Sequence, residues 1–235
     1  MVNGRDNWAK LEREIAGCRA CPRLVRWREE VARTKRRAHL GDEYWGKPVP
    51  SFGARDARIA ILGLAPGAHG ANRTGRPFTG DGAGPFLYGA LFRAGWSSAP
   101  DSVARDDGLV LHGARLLNSV RCVPPGNKPS PGECARCAPY LERELRLMTR
   151  LAVIVCLGEI AWRAAFRLLA ERTAAESPDG PRPRRARFGH GVEQTIAGVT
   201  LVASYHPSQL NTRTGRLDAA MMDRVLRRAQ EHARA

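Results

Sequence analysis

The chain has 235 residues and a formal net charge of +15, from 38 Lys and Arg against 23 Asp and Glu, with a pI near 10.7. That length suits one α/β core near the upper end for a single domain, so one domain over residues 1–235 is expected, with a helical segment over about 1–50 at its start. No apolar run approaches the roughly 20 residues of a membrane span, and Met1-Val2-Asn3-Gly4-Arg5-Asp6 holds no secretory apolar segment, so a membrane protein is excluded and a cytoplasmic one predicted. The positive charge makes nucleic acid the first partner to consider, although an arginine-rich proteome would raise it too. Six cysteines in a reducing compartment point to metal ligands and buried thiols before disulfides.

Trp8 to Gly17 reads as a short amphipathic helix with Leu11 and Ile15 on one face, leading into Cys18-Arg19-Ala20-Cys21-Pro22. Arg23 to Arg37, basic with Leu24, Val25, Trp27 and Val31 interspersed, predicts a second helix. Trp45 to Pro50 is a rigid approach to the first core strand, Arg58 to Leu64. Phe86, Leu87, Ala90, Leu91 and Ala94 follow helical spacing to a stop at Gly95, and Pro100 to Gly108 is a polar loop. Arg115 to Val120 predicts a second strand. Ser130-Pro131-Gly132-Glu133 combines a capping box with proline at the first helical position, which starts a helix carrying Cys134, Cys137, Leu141, Leu145 and Met148. Leu151 to Leu157 is a continuous apolar run of a strand covered on both faces, and Ile160 to Glu171 a helix. Ser177 to Gly191, rich in Pro, Gly and Arg, predicts a mobile surface loop, either in reach of a phosphate backbone or a solvated insertion. Val199 to Ser204 is the last core strand and Leu217 to Ala233 the closing helix. Buried strands alternating with helices predict a three-layer α/β/α sandwich around a central parallel sheet.

The richest stretch is the loop from Gly63 to Asp81, placed where the first strand turns into a helix, which is where open α/β sheets bind ligands. Its glycines allow close backbone approach, and Arg73 and Arg76 put positive charge beside Phe78. It lacks the Gly-Lys-Ser/Thr of a P-loop and the G-x-G-x-x-G spacing of a dinucleotide fold. Two further loops, from Asn118 and from His206, leave parallel strands at the same edge and can converge on it. Phe78, Asn118 and His206 then supply an aromatic face, an amide to read a base edge, and a donor for a carbonyl that gains charge. Each has a structural reading beside it: Phe78 as core, Asn118 as a turn residue, His206 as a packed histidine, and Asp81 as a helix cap.

The run Gly63-Leu64-Ala65-Pro66-Gly67-Ala68-His69-Gly70-Ala71-Asn72-Arg73-Thr74-Gly75-Arg76-Pro77-Phe78-Thr79-Gly80-Asp81 resembles the first motif of the family 5, or type b, uracil-DNA glycosylases, and Asn118 and His206-Pro207-Ser208 match their later motifs. The resemblance implies a monofunctional glycosylase that hydrolyses the N-glycosidic bond of uracil in double- or single-stranded DNA and leaves an abasic site. It also implies tolerance of hypoxanthine and ethenocytosine, and a monomer is expected. Phe78 would stack on the base, Asn118 read it, and His206 contact O2, with Gly67, Ala68 and His69 also at the substrate. Other branches place a water-positioning Asp, Glu or Asn just after the first glycine; here Leu64-Ala65 stand there, and the resemblance shifts that duty to Asp81. Ser208, Gln209 and Leu210 would meet DNA, Leu210 as a wedge or as packing beneath its loop, while Arg73, Arg76 and Arg213 would contact phosphates. By spacing alone, Cys18-x-x-Cys21 with Cys134-x-x-Cys137 reads as a zinc ribbon. The resemblance instead implies a [4Fe–4S] cluster on Cys18, Cys21, Cys122 and Cys137, stapling the N-terminal segment to the DNA-facing edge. The competing class of function is a non-catalytic, metal-containing nucleic-acid-binding module.

Overall fold

The computed structural model describes residues 7–234. The N-terminal hexapeptide, expected to lack a secretory segment, lies outside them. Six strands form one sheet in the order β1-β3-β2-β4-β6-β5, where β1 is Phe52–Gly53, β2 Ile59–Gly63, β3 Ala114–Asn118, β4 Val153–Leu157, β5 Glu193–Ile196 and β6 Val199–Ser204. The four central strands run parallel, as predicted, and the two edges are antiparallel.

Side-chain alternation explains why both faces are covered. Ile59 and Ile61 join Leu116, Val155 and Val202 in a cluster with helices α4 (Gly84–Arg93) and α8 (Ala219–Arg234). Ala60 and Leu62 join Leu117, Ile154, Cys156 and Leu201 on the opposite face, under α5 (Pro131–Leu147) and α6 (Glu159–Glu176). Every residue of β2, β3, β4 and β6 is buried, the polar Arg115, Asn118, Thr200 and Ser204 included, so these mostly apolar runs are strands sandwiched between helices. The α/β/α layering read from the sequence is therefore the observed one. No helix of the described residues is long and apolar enough to cross a membrane.

Near the N-terminus, α1 (Trp8–Gly17) keeps its predicted bounds, and Asn7 caps it by accepting from the Lys10 amide at 2.9 Å. Helix α2 (Pro22–Thr34) ends earlier than expected, because Lys35 takes φ 56° and its ammonium turns to the Leu40 carbonyl. The capping box that opens α5 is complete: Ser130 Oγ accepts from the Glu133 amide, and Glu133 accepts from the Ser130 amide at 2.7 Å. Residues 177–191 have no helix or strand of their own, and their hydrogen bonds to the rest of the fold include those at Arg184 and Ala186. Trp162 Nε1 donates to the Ala186 carbonyl at 3.2 Å, and Gln194 bridges both Ala186 and Arg184.

The pairing register sets up the site. Gly63 lies opposite Asn118, Leu62 opposite Cys156, and Leu157 opposite Ser204, so the carboxyl ends of four strands form one row. The chain leaves that row into the loops after Gly63, Asn118 and Ser204, which open a crevice above the sheet edge.

Candidate active site

The loop after β2 is built around small residues and a short helix, α3 (Ala71–Thr74). The Asn72 amide donates to the Gly67 carbonyl at 3.0 Å, and Asn72 Nδ2 reaches back to the Arg28 carbonyl in α2. Phe78 sits in the left-handed region at φ 54°, a strained conformation for a bulky residue, and is 7% exposed. Its ring lies over Gly63, where a built Cβ would stand 2.6 Å from Phe78 Cζ and 2.9 Å from Asn118 Oδ1. Glycine at the strand end thus lets the aromatic ring and the amide meet.

Phe78, Asn118 and His206 all line one cavity of about 510 Å³, together with Gly67, Asp81 and Leu210. The Phe78 and His206 ring centroids are 6.2 Å apart. Asn118 is 1% exposed, and its Oδ1 is buried with no hydrogen-bond partner in the fold. An orphaned buried acceptor is costly, so it points to a ligand N–H that completes it. Burial pushes the His206 imidazole below its ordinary pKa, against the pull of the Asp81 charge, so the ring is neutral at pH 7 with one N–H to donate. Asn211 Nδ2 fixes the His206 carbonyl at 2.8 Å and orients the segment.

Asp81 divides its two oxygens. Oδ1 accepts from the amides of Ala83 at 3.0 Å and Gly84 at 3.1 Å, the capping arrangement at the start of α4. Oδ2 faces Gly67, whose built Cβ would lie 3.1 Å from it in the cavity wall. The two sequence readings of Asp81 are therefore compatible.

Other expected site residues are placed differently. Ala68 and His69 are not among the cavity-lining residues; His69 Nδ1 pairs with the Tyr44 hydroxyl at 3.0 Å, and burial lowers its pKa. Arg76 is not placed to contact phosphate. It is 4% exposed, stacks on Phe52, and pairs with Asp107 at 2.7 Å, holding the loop of residues 102–107 against the motif. Arg73 is mostly spent as well, on Asp42 and the His69 carbonyl. Ser208 accepts from the Asn211 amide and opens α7 (Gln209–Arg213), which carries Gln209 over Gly82, Leu210 at 73% exposure, and an exposed Arg213. Asn127 was not singled out from the sequence, yet it lines the cavity from the Pro125–Asn127 turn. The signal was the Pro-Pro-Gly-Asn run, whose last two residues both take positive φ.

The Arg76–Asp107 pair gives a pH dependence. Three backbone amides, at Leu109, Val103 and Ala104, and the Arg76 guanidinium outweigh burial and hold the Asp107 carboxyl at about 2, below its ordinary 3.8. A lowered carboxyl pKa stabilises the fold above the unfolded value and loses that contribution as pH falls through the folded one. Between pH 4 and pH 2 the wild type is expected to lose on the order of 1–2 kcal/mol from this group, after discounting for solvent screening. Urea midpoints of wild type and Asp107→Asn measured across that range check it, since the variant should lack this part of the slope.

The cysteines divide into two places. Cys18, Cys21, Cys122 and Cys137 line one small cavity between α1, α2, the segment after β3, and α5. Cys134 lines a different cavity with Ser119, Leu141 and Ile160, so the ribbon of Cys18, Cys21, Cys134 and Cys137 is not assembled. Among the described residues, no three His, Cys, Asp or Glu side chains come close enough to hold a single metal ion. Burial raises the thiol of Cys122, and that of Cys137 to about 12, so both keep their protons unless a cation binds the sulfur. The buried Arg28 guanidinium donates to Cys122 Sγ at 3.0 Å, and the Arg121 amide donates to Cys137 Sγ at 3.3 Å. Four sulfurs with N–H donors beside two of them are a donor set that suits thiolate ligation.

Comparison with known proteins agrees with this geometry. Residues 50–230 match the family model described as the Uracil DNA glycosylase superfamily. The chain is 49% identical over 235 residues to a type-5 uracil-DNA glycosylase of Mycobacterium tuberculosis, covering 99% of this chain and 84% of the relative. It is 49% identical over 220 residues to one from Thermus thermophilus, covering 93% and 95%. A type-4 uracil-DNA glycosylase of Archaeoglobus fulgidus is 31% identical over 200 residues, covering 84% of this chain and 80% of the relative. The row of strand ends, the three loops above it and these relatives together place the chain in the uracil-DNA glycosylase superfamily, among its type-5 members.

Proposed function

We propose that the protein removes uracil from DNA by hydrolysing the N-glycosidic bond, leaving an abasic site. The unpartnered Oδ1 of Asn118, buried beside Phe78 in the cavity, carries the reading. An everted uracil would offer N3–H to that oxygen and O4 to Nδ2, whereas cytosine would set an amino group against the amide donor. Stacking on Phe78 would contribute about 1–3 kcal/mol to holding the base. As the bond breaks, negative charge grows on the base, and His206 donates to O2 where it accumulates. Asp81 Oδ2 holds the attacking water, while Oδ1 keeps its capping bonds. These loops hold no lysine placed as a Schiff-base nucleophile, so no strand cleavage is expected. Hypoxanthine repeats the N–H and carbonyl that Asn118 would read but has a C–H where uracil has O2, so it should be excised with less help from His206, and it and ethenocytosine, both bicyclic, test how much room the cavity gives a larger base.

Duplexes bearing each base, treated with the protein and then alkali, read this directly. Alkali-labile sites should form at uracil; a binding module would form none. Asp81→Asn should lower single-turnover excision at least about 10-fold with little change in melting temperature, because Asn caps helices as well as Asp. Unchanged turnover would leave Asp81 with the capping role alone.

The cavity of Cys18, Cys21, Cys122 and Cys137 is read as the seat of a [4Fe–4S] cluster. Four thiolates would hold it, and its contribution would be a crosslink between α1, α2 and the DNA-facing edge, away from the base. Iron and acid-labile sulfide in the purified protein, with broad absorbance near 400 nm, test it; stoichiometric zinc without iron rejects it.

A further inference from the structure

We propose that Arg28 is the counter-charge and hydrogen-bond donor that sets the electron affinity and lifetime of the group held by Cys18, Cys21, Cys122 and Cys137. The proposal rests on the cluster reading above and goes beyond it by assigning a residue outside the cysteine set.

Arg28 projects from α2 into the cysteine cavity and is 2% exposed. Its Nη1 donates to both Cys122 Sγ at 3.0 Å and the Cys18 carbonyl at 3.1 Å, so one side chain bridges two of the three thiol-bearing segments. Its nearest carboxylate, Glu29, lies 3.9 Å from Nη2 and is bonded mainly to Arg19. Its Nε finds no partner in the fold. A guanidinium this buried, with a distant and shared carboxylate and an idle donor, is unfavourable unless an anion stands close by.

Arg121 provides an internal contrast. It is 1% exposed and lines the same cavity, but its charge is met by Glu144 through Nη2. Its Nε and Nη1 are idle donors, while its backbone amide serves Cys137 Sγ. Arg121 therefore adds donors without net charge, and Arg28 is the buried cation with only a distant, shared carboxylate, while Arg136, which also lines the cavity, is exposed to solvent. Ionised cysteines around iron and sulfide supply the missing anion. A positive charge and an N–H to sulfur favour the more negative, reduced form, which raises the reduction potential, and they hold the thiolate in place against loss of metal.

The test uses full-length protein purified without oxygen: wild type, Arg28→Gln and Arg28→Lys. Iron and sulfide analysis of the wild type comes first, because their absence would sink the cluster reading and this proposal together. With iron present, R28Q should retain all four cysteine ligands but show a lower midpoint potential in an EPR-monitored titration. Its absorbance near 400 nm should also bleach several-fold faster under a chelator. R28K, which keeps the charge, should recover most of the potential. Iron-loaded R28Q with wild-type potential and bleaching rate would overturn the role of Arg28 and leave the cluster standing. If R28Q does not fold, wild type labelled with 15N only in arginine guanidino nitrogens decides. Pulsed EPR of the reduced protein should show a 15N coupling that persists in Arg121→Lys, because the Arg121 guanidinium lines the same cavity, and its absence from that variant overturns the assignment.

Discussion

His206→Ala is expected to lower uracil excision at least about 10²-fold under single-turnover conditions while affinity for uracil-containing duplex stays near that of the wild type. The size follows from what an oxyanion-type donor contributes when it is held in place before charge develops. His206 meets that condition: its carbonyl is pinned by Asn211, its Cβ packs 3.6 Å from where a Gly158 side chain would begin, and its ring shares the cavity with Phe78 and Asn118. Because burial keeps the imidazole neutral, it does not titrate between pH 7 and 8, and the wild-type rate should carry no inflection from this group there. DNA affinity is expected to persist because it rests largely on phosphate contacts and on the protein's overall positive charge. Single-turnover kinetics paired with fluorescence anisotropy separates the two. Excision by H206A at near-normal rates would remove this residue from the mechanism.

How much of this was readable beforehand depended on whether the cause was local. The four central strands were legible because burial on both faces favours long apolar stretches, broken only at Arg115, Asn118, Thr200 and Ser204, and β6 keeps its predicted limits of Val199–Ser204. The edge strands were not, since the two residues of β1 and the polar Glu193–Ile196 of β5 become strands only by pairing with β3 and β6. Arg76 shows the same limit at the level of one side chain. In sequence, an arginine in a glycine-rich loop looks free for phosphate, and its actual partner, Asp107, lies 31 residues away across a loop of no evident pattern. Asp81 was legible as a cap, which Oδ1 fulfils, whereas only coordinates show that Oδ2 is left facing the cavity wall at Gly67. Among the cysteines, spacing alone favoured Cys18, Cys21, Cys134 and Cys137, a set that does not line one cavity. Cys134 and Cys137 are one helical turn apart, yet α5 directs them into separate cavities.

Gly63→Ala is expected to reduce excision by about 10²-fold, an effect comparable to losing the histidine although the new methyl touches neither substrate nor His206. Gly63 does not occupy the left-handed region, so the substitution meets no backbone strain, and its whole effect is the space the Cβ takes. That atom would stand 2.6 Å from Phe78 Cζ, 3.2 Å from Phe78 Cε2 and 2.9 Å from Asn118 Oδ1. Two of these contacts are too short to survive, so the ring and the amide must both shift. Neither shifts easily: Asn118 is paired opposite Gly63 in the ladder, and the Ser119 amide ties the next residue to the Gly63 carbonyl at 2.9 Å. Phe78 already holds a positive φ, which leaves its backbone little freedom to absorb the clash. Overpacking of this kind should also cost roughly 1–3 kcal/mol of stability. Gly17→Ala, where nothing lies within 4 Å of the added carbon, is the control and should leave excision unchanged. Single-turnover rates and urea midpoints of both variants distinguish the cases. If G63A loses stability but keeps its excision rate, Phe78 and Asn118 do not hold the base, because a base held between them could not tolerate the movement that the methyl group forces.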